Sequence, residues 1–429
     1  MTSGPARQLH LWAFLQGIGF YPFGWRHRGA QPRSVFDLSY YSRVAKRIEH
    51  ARFDAIVFGD QLQARGDHGR TPRHLPMPTL DPLALLGAMG SVTERVGLVA
   101  TVSTTYNDPT TVADKFATLD HLTRGRAGWN IVTTAHPAAA WNFSQQALPE
   151  KALRYQRADE FVGVVKSLWD SGQPPGSASN PTVEHAGRWL TLRGALATPR
   201  LPQGRPVLVQ AGQSGDGRDF AAKTAEAVFC PAKTLADGRA YRDDIRARMA
   251  PFGRAPDDVK IMPGMSFILA PTEAEAIAKE EELLELASEA LCIEYLGESI
   301  GYDLMAHPAH GPIPLAEILA DCEMPPADIA RMLEPVVRAG ISLSEFSKAY
   351  VRTPRGHHVF KGTPEQLADT MGQWLDAGAC DGFTLQPAYM PGELDLFIDE
   401  VVPILQRRGL LRREYEGTTL RSHLGLPAL

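Results

Sequence analysis

Cysteine is scarce in this chain. Its 429 residues hold four, Cys230, Cys292, Cys322 and Cys380, widely scattered and with no CxxC pair. That excludes a disulfide framework and a zinc ribbon, and it reads as a reduced, cytoplasmic protein. Long apolar runs are missing as well. Leu9 to Phe20 is apolar but too short to span a bilayer. It has no small-residue cleavage site behind it and few basic residues before it, so neither a secretory leader nor a membrane segment is expected. Nor is there a basic excess: 44 Lys+Arg stand against 49 Asp+Glu, for a net charge of -5. A nucleic-acid binder would show the opposite balance. No G-x-G-x-x-G fingerprint occurs, which argues against a Rossmann nicotinamide site. HExxH and two-His-one-carboxylate spacings are also missing. His307 and His310 are separated by Pro308, and His357 and His358 are adjacent, so neither pair readily shares an ion. No metal is expected.

What the chain has is alternation. Short runs rich in Val, Ile, Leu and Phe recur at Leu9–Leu15, Asp54–Gly59, Val96–Val102, Ala127–Thr133, Pro206–Ala211, Glu226–Cys230, Val259–Leu269 and Cys380–Leu385. Several are apolar throughout, as in parallel strands buried on both faces. The segments between them look helical. Phe161, Val165, Leu168 and Trp169 share one face. Asp81-Pro82 and Asp108-Pro109 each set a capping carboxylate before a first-turn proline. Thr272 with Glu275 and Thr363 with Gln366 fit capping boxes. Eight strands alternating with helices predict an α/β fold, a closed (β/α)8 TIM barrel, with a doubly wound open sheet as the alternative. We expect one domain over 1–429. The stretch at about 291–361 breaks the rhythm with HPAHGPIP, a short helical piece near Pro326–Ala339 and RTPRGHH. It reads as an insertion before the last strand, over the rim at the strands' carboxyl ends. Ser171–Ala197 is a second irregular stretch.

Ligands of such a barrel bind at the carboxyl ends of its strands. The polar residues there are Asp60 after the second strand, Ser103 and Thr104 after the third, Asn130, Thr133 and Thr134 at the fourth, and Gln210, Gly212 and Ser214 at the fifth. Any one of them could equally be a helix cap. Gln210-Ala211-Gly212-Gln213-Ser214-Gly215-Asp216-Gly217 follows a strand and opens a helix. Its glycines would admit an anion to free helix N–H groups, though it would also serve as a plain βα turn. Asp216 stands where a nucleophile elbow needs glycine. Lys151, Arg154 and Tyr155 open the next candidate helix and could hold a phosphate. A solvated first turn is the plainer reading.

Together the motifs resemble a known family. They are Gly24-Trp25-Arg26-His27, Phe53-Asp54-Ala55 leading to Gly59-Asp60, Gly128-Trp129-Asn130-Ile131-Val132-Thr133, Arg154-Tyr155-Gln156-Arg157-Ala158-Asp159-Glu160-Phe161, Gln210-Ala211-Gly212-Gln213-Ser214 and Arg408-Gly409-Leu410 onward to Leu426. In this order, across nearly the whole chain, they resemble the bacterial luciferase-like flavin monooxygenases. Within those the likeness is to the branch of nitrilotriacetate, EDTA and dibenzothiophene-sulfone monooxygenases. The resemblance implies a (β/α)8 barrel that takes reduced FMN from a separate NAD(P)H-dependent flavin reductase and uses O2 on a small organic substrate, with cleavage of C–N or C–S bonds or ring opening among the outcomes. It implies a homodimer or homotetramer.

By the same resemblance, Asp60 and Thr104 line the flavin site, and Asn130 and Val132 face its ring. Tyr155 and Ser214 hold the phosphate, with Gly212 and Gln213 beside them. Two positions depart from the family pattern: Lys151 and Tyr21 stand where relatives often carry histidine. Lys151 keeps a cation near the phosphate. Tyr21, Asn130 and Thr134 are the candidates to meet the flavin edge or oxygen, and His310 and His357 could reach the mouth from the insertion. A deazaflavin-dependent oxidoreductase and a non-catalytic flavin-binding protein are the alternative readings.

Overall fold

A computed structural model describes residues 7–60, 62, 80–322, 324–352 and 356–429. Its strands are β1 (His10–Leu15), β2 (Ala55–Phe58), β3 (Gly97–Ser103), β4 (Ala127–Val132), β5 (Val183–Ala186), β6 (Thr191–Gly194), β7 (Val207–Gln210), β8 (Ala227–Cys230), β9 (Lys260–Leu269), β10 (His358–Gly362) and β11 (Gly382–Pro387). Eight of them close a ring of parallel pairs, β1-β2-β3-β4-β7-β8-β9-β11 and back to β1. These are the eight runs expected from the sequence. The fold is therefore the (β/α)8 barrel.

Side chains alternate between two environments along each strand. Leu11, Ala13, Ile56, Leu98 and Trp129 pack outward under the helices. Trp12, Val57, Val99, Val209 and Met262 point inward, where they meet Leu420, Leu424 and Leu426 of the C-terminal segment. Gly97 and Gly128, at the starts of β3 and β4, leave the room: a Cβ on either would press into Leu420. The C-terminal segment thus plugs the barrel at its amino end.

The caps behave as the sequence suggests. Asp108 accepts from Thr110 N at 2.9 Å and Thr111 N at 3.1 Å, and Asp81 accepts from Ala84 N at 2.8 Å. Thr363 and Gln366 form the full capping box. Thr272 caps Glu275 N, but the Glu275 carboxylate turns to the Thr272 hydroxyl, so that box is half made.

Two regions differ from the expectation of irregular chain. Within 171–197, β5 and β6 form an antiparallel hairpin. Glu160 of the helix Lys151–Asp170 holds it down, accepting from Leu190 N at 2.9 Å, Trp189 N at 3.1 Å and His185 Nε2 at 3.0 Å. The insertion carries the expected helical piece, Pro326–Arg338, together with three further helices. Glu289–Ile300, Leu315–Asp321, Pro326–Arg338 and Leu343–Val351 bury Ile293, Leu296, Ile318 and Leu333 in a core of their own. Residues 353–355 of the RTPRGHH run lie outside the described residues. The insertion ends in β10, which pairs with the outer half of β9, where β8 has already stopped.

One buried charge ties the plug to the barrel. Asp54, with no exposed surface, accepts from Leu11 N at 2.8 Å and meets His10 Nδ1 at 3.0 Å and Arg412 Nη2 at 2.7 Å. The same Arg412 nitrogen donates to His423 O at 2.8 Å. Burial opposes ionisation of Asp54, yet Arg412, His10 and the amide outweigh it and hold its carboxyl below the ordinary range. A depressed carboxylate stabilises the fold fully above its unfolded pKa of about 3.9 and loses that contribution as the pH falls further. Thermal melts from pH 7 down to pH 3 should therefore show stability falling below about pH 4. Asp54→Ala leaves Arg412 partly buried and unpaired, which costs about 3–5 kcal/mol. Urea unfolding at pH 7 should read a loss of that size, and a loss of under about 1 kcal/mol would show that the pair does not hold the plug.

Candidate functional site

Above the packed layer the barrel opens into a cavity of about 210 Å³. Trp12, Phe14, Val57 and Phe229 supply apolar walls, and Asp60, Thr101, Asn130 and Thr384 supply polar atoms. An aromatic belt crosses this space. Phe14 lies 4.8 Å from Phe20 and 5.6 Å from Phe229, and Phe229 stacks on His357 at 4.9 Å. His357 is 7% exposed and rests against Gly264, where a Cβ would collide with its ring. Next to it, His358 turns away to Lys233 O at 2.8 Å.

The cavity carries unmet hydrogen-bonding capacity. Asn130 Nδ2 donates to Thr101 Oγ1 at 2.9 Å, but Asn130 Oδ1 is buried without a partner, as is Trp12 Nε1. Buried polar atoms are rarely left so, and both residues line the cavity. A guest with a polar ring edge would satisfy them.

Beside the cavity the β7 turn forms a cradle. Ser214 caps the helix Gly215–Thr224, its hydroxyl accepting from Gly217 N at 3.2 Å. The Gly212 N–H donates to Gln210 Oε1 at 2.5 Å. A Cβ on Gly212 would lie 2.8 Å from both Tyr155 Oη and Gly217 Cα, and one on Gly217 would lie 2.7 Å from Tyr155 Oη. Only glycine fits there, so backbone, Ser214 and the Tyr155 hydroxyl converge at a helix N-terminus. That arrangement suits a phosphate. Gln213 turns its amide back to Ala211 O at 3.0 Å. Lys151 is exposed in the first turn of the helix that carries Tyr155.

The other expected site residues are placed as follows. Asp60 lines the cavity. Thr104 is buried, and its hydroxyl donates to Val132 O at 3.3 Å, stitching the ends of β3 and β4 together. Val132 is half-buried at the end of β4. Thr134 has φ +56, an uncommon state for a β-branched residue. Ser103 Oγ holds its hydroxyl at 2.7 Å, and its carbonyl accepts from Arg154.

Tyr21 and His310 are not brought to the cavity. Tyr21 is buried and donates to Glu280 Oε1 at 3.2 Å, on the helix Glu273–Glu285, while Lys361 of β10 reaches Glu280 Oε2 at 2.8 Å. Burial and the Glu280 charge push the Tyr21 hydroxyl well above its ordinary pKa. Its bond joins the loop after β1 to the helix Glu273–Glu285, and Glu280 passes the tie on to β10 through Lys361. His310 is exposed on the insertion, 3.7 Å from Glu289 Oε1. Of the insertion's histidines, His357 is the one seated beside a cavity wall. The sequence signal missed was Thr101 and Phe229 at inward positions of their strands. Among the described residues no group of His, Cys, Asp and Glu could hold a metal ion, and no helix is long and apolar enough to cross a membrane.

Comparison with known proteins gives the same picture across the chain. Residues 20–316 match the luciferase-like monooxygenase family. The N-acetyl-S-(2-succino)cysteine monooxygenase of Bacillus subtilis (strain 168) is 42% identical over 439 residues, covering 99% of this chain and 98% of that protein. Nitrilotriacetate monooxygenase component A of Aminobacter aminovorans is 39% identical, covering 99% of this chain and 97% of its own length. A crystal structure of riboflavin lyase with modified FMN and riboflavin superposes with a TM-score of 0.85 at 30% identity, covering 98% of this chain and 97% of that one.

Two substitutions separate the cradle from the rim. Gly212→Ala should weaken FMN binding at least tenfold, about 1.4 kcal/mol, read by quenching of FMN fluorescence below the variant's own thermal transition. Tyr21→Phe should cost about 1.5–3 kcal/mol of stability for a hydrogen bond to a charged group and leave FMN affinity unchanged. A loss of affinity in that variant would return Tyr21 to the cofactor.

Proposed function

The chain belongs to the luciferase-like monooxygenase family and is a flavin-dependent monooxygenase; on that premise we propose that it is the oxygenase half of a two-component system. It takes reduced FMN from a separate NAD(P)H-dependent flavin reductase, in the cytoplasm. It uses O2 to oxygenate a small organic substrate, with C–N or C–S cleavage or ring opening among the outcomes, and it works as a homodimer or homotetramer. The observation that carries the reading is the convergence of Tyr155, Gly212, Ser214 and Gly217 on one anion cradle beside a cavity with unmet polar atoms.

The residues divide the work by position. Ser214, the Tyr155 hydroxyl and the first N–H groups of the helix would hold the phosphate, with Gln213 fixing the turn and Lys151 adding positive charge nearby. Asp60 and Asn130 would hydrogen-bond the ring edge, and Val132 would pack beside it. Thr104 and Thr134 serve by fixing the loops after β3 and β4. Reduced FMN, when bound, supplies the electrons that activate O2 for insertion of one oxygen atom. The aromatic belt of Phe14, Phe20 and Phe229 excludes water from that space.

Oxygen uptake by the purified chain tests this reading. It should be negligible with NADH and FMN alone and should start when an NADH:flavin reductase is added. Uptake that starts with NADH and no reductase would contradict the two-component reading. Failure to bind FMNH2, with binding of a reduced deazaflavin instead, would replace the cofactor.

A further inference from the structure

The buried guanidinium groups of Arg126 and Arg421 each have a dense or charged set of partners, although Arg421 Nε is itself left without one. Arg126 donates to Gly90 O, Thr93 O, Thr93 Oγ1, Val96 O and Thr123 O at 2.8–3.0 Å. Arg421 makes a two-oxygen pair with Glu226 at 2.6 and 3.0 Å. Arg154 and Arg157, on one face of the helix Lys151–Asp170, break the pattern. Arg154 reaches the Thr134 carbonyl and nothing else, and its Nε is buried without a partner. Arg157 reaches Asn107 O at 3.4 Å, lies 5.4 Å from the Phe161 ring, and leaves Nη1 buried without a partner.

No carboxylate among the described residues balances either group. The two acidic groups in electrostatic reach of Arg157 are Asp108 and Glu160. Asp108 is committed to capping Thr110 and Thr111, and Glu160 to the β5–β6 hairpin. Among the described residues, the titratable groups in electrostatic reach of Arg154 are the Tyr155 and Tyr106 hydroxyls. Facing the pair from the loop after β3, Tyr106 is 8% exposed and its hydroxyl is buried without a partner. His136 Nδ1, on the loop after β4, is in the same state. Two half-buried cations with idle donors are unfavourable in isolation, and an anion placed between them removes the penalty. Burial lowers the pKa of both guanidinium groups, as it does for any cation lacking a counter-ion.

We propose that Arg154, Arg157 and the Tyr106 hydroxyl form a receiving site for an oxyanion at the barrel rim. The ligand is a carboxylate, sulfonate or phosphate group, which a planar guanidinium binds through paired N–H donors. Its source is an acidic group on the substrate, since the cradle at Ser214 and Tyr155 takes the FMN phosphate. The inference rests on the flavin reading for its place in catalysis, and on the two arginines for its chemistry.

The test uses the full-length chain, with Arg157→Gln and Tyr106→Phe as the informative variants, because Arg154 also holds Thr134. Three probes are titrated: FMN, riboflavin, and succinate added to the FMN-loaded protein and to the free chain. If FMN affinity falls at least tenfold in the variants while riboflavin affinity holds, the two arginines belong to the cofactor's phosphate and the proposal of a separate anion site is overturned. If FMN affinity holds but the variants lose at least tenfold in succinate affinity, the site exists and takes an acidic substrate group. If neither FMN nor succinate binding changes, the proposal is overturned. Should the wild-type chain fail to bind FMN in any form, the flavin reading falls, and succinate binding to the free chain with its loss in the variants still decides the anion site.

Discussion

Closing eight parallel strands into a ring creates one interior that all the inward side chains must share. How that space is filled determines where chemistry can occur. At the amino end it is crowded: Trp12, Val99, Met262 and the Leu420–Leu426 segment meet there, and Gly97 and Gly128 give up their side chains to make room. At the carboxyl end Gly59 and Ala211 contribute little bulk and Thr101 and Asn130 are polar, so a cavity remains. Closure therefore gives the molecule a sealed base and an open rim. The C-terminal segment, anchored through Arg412 and Asp54, belongs to the sealed end.

Charge is distributed by the same division. At the base, buried ions are paired: Asp54 with Arg412 and Glu226 with Arg421. Such pairs fix one arrangement of the chain more than they add stability. At the rim the accounts are left open. Asn130 Oδ1, Trp12 Nε1 and Tyr106 Oη have no partner, and Thr134 holds a left-handed backbone. Unsatisfied atoms and uncommon dihedrals persist where a ligand completes them. Asn130 and Trp12 both line the cavity, which marks the carboxyl end as the working face.

Much of this was legible in the sequence because barrel strands announce themselves. Val207–Gln210 and Gly97–Ser103 are apolar on both faces, and Asp-Pro pairs set the starts of helices. The glycine-rich junction from β7 into the helix capped by Ser214 was legible too, although the same run would serve as a plain βα turn. What stayed hidden depended on long-range contacts. β10 is a half-buried strand whose identity comes from pairing with the tail of β9. The insertion's helices are short, and their core is assembled among themselves. Tyr21 sits at a position where the family suggested a flavin contact, but Glu280, some 260 residues away in sequence, claims its hydroxyl. His310 and His357 look alike in sequence; only the pairing of His358 with Met265 turns one of them toward Phe229.

The central claim is that one rim cradle and the adjoining cavity hold a flavin nucleotide. A crystal structure of the chain soaked with FMN tests it most directly. The account predicts the phosphorus atom within hydrogen-bonding reach of Ser214 Oγ and Tyr155 Oη, with the ring edge on Asn130 and Asp60. A phosphate bound elsewhere, with Gly212 and Ser214 facing solvent, would contradict it.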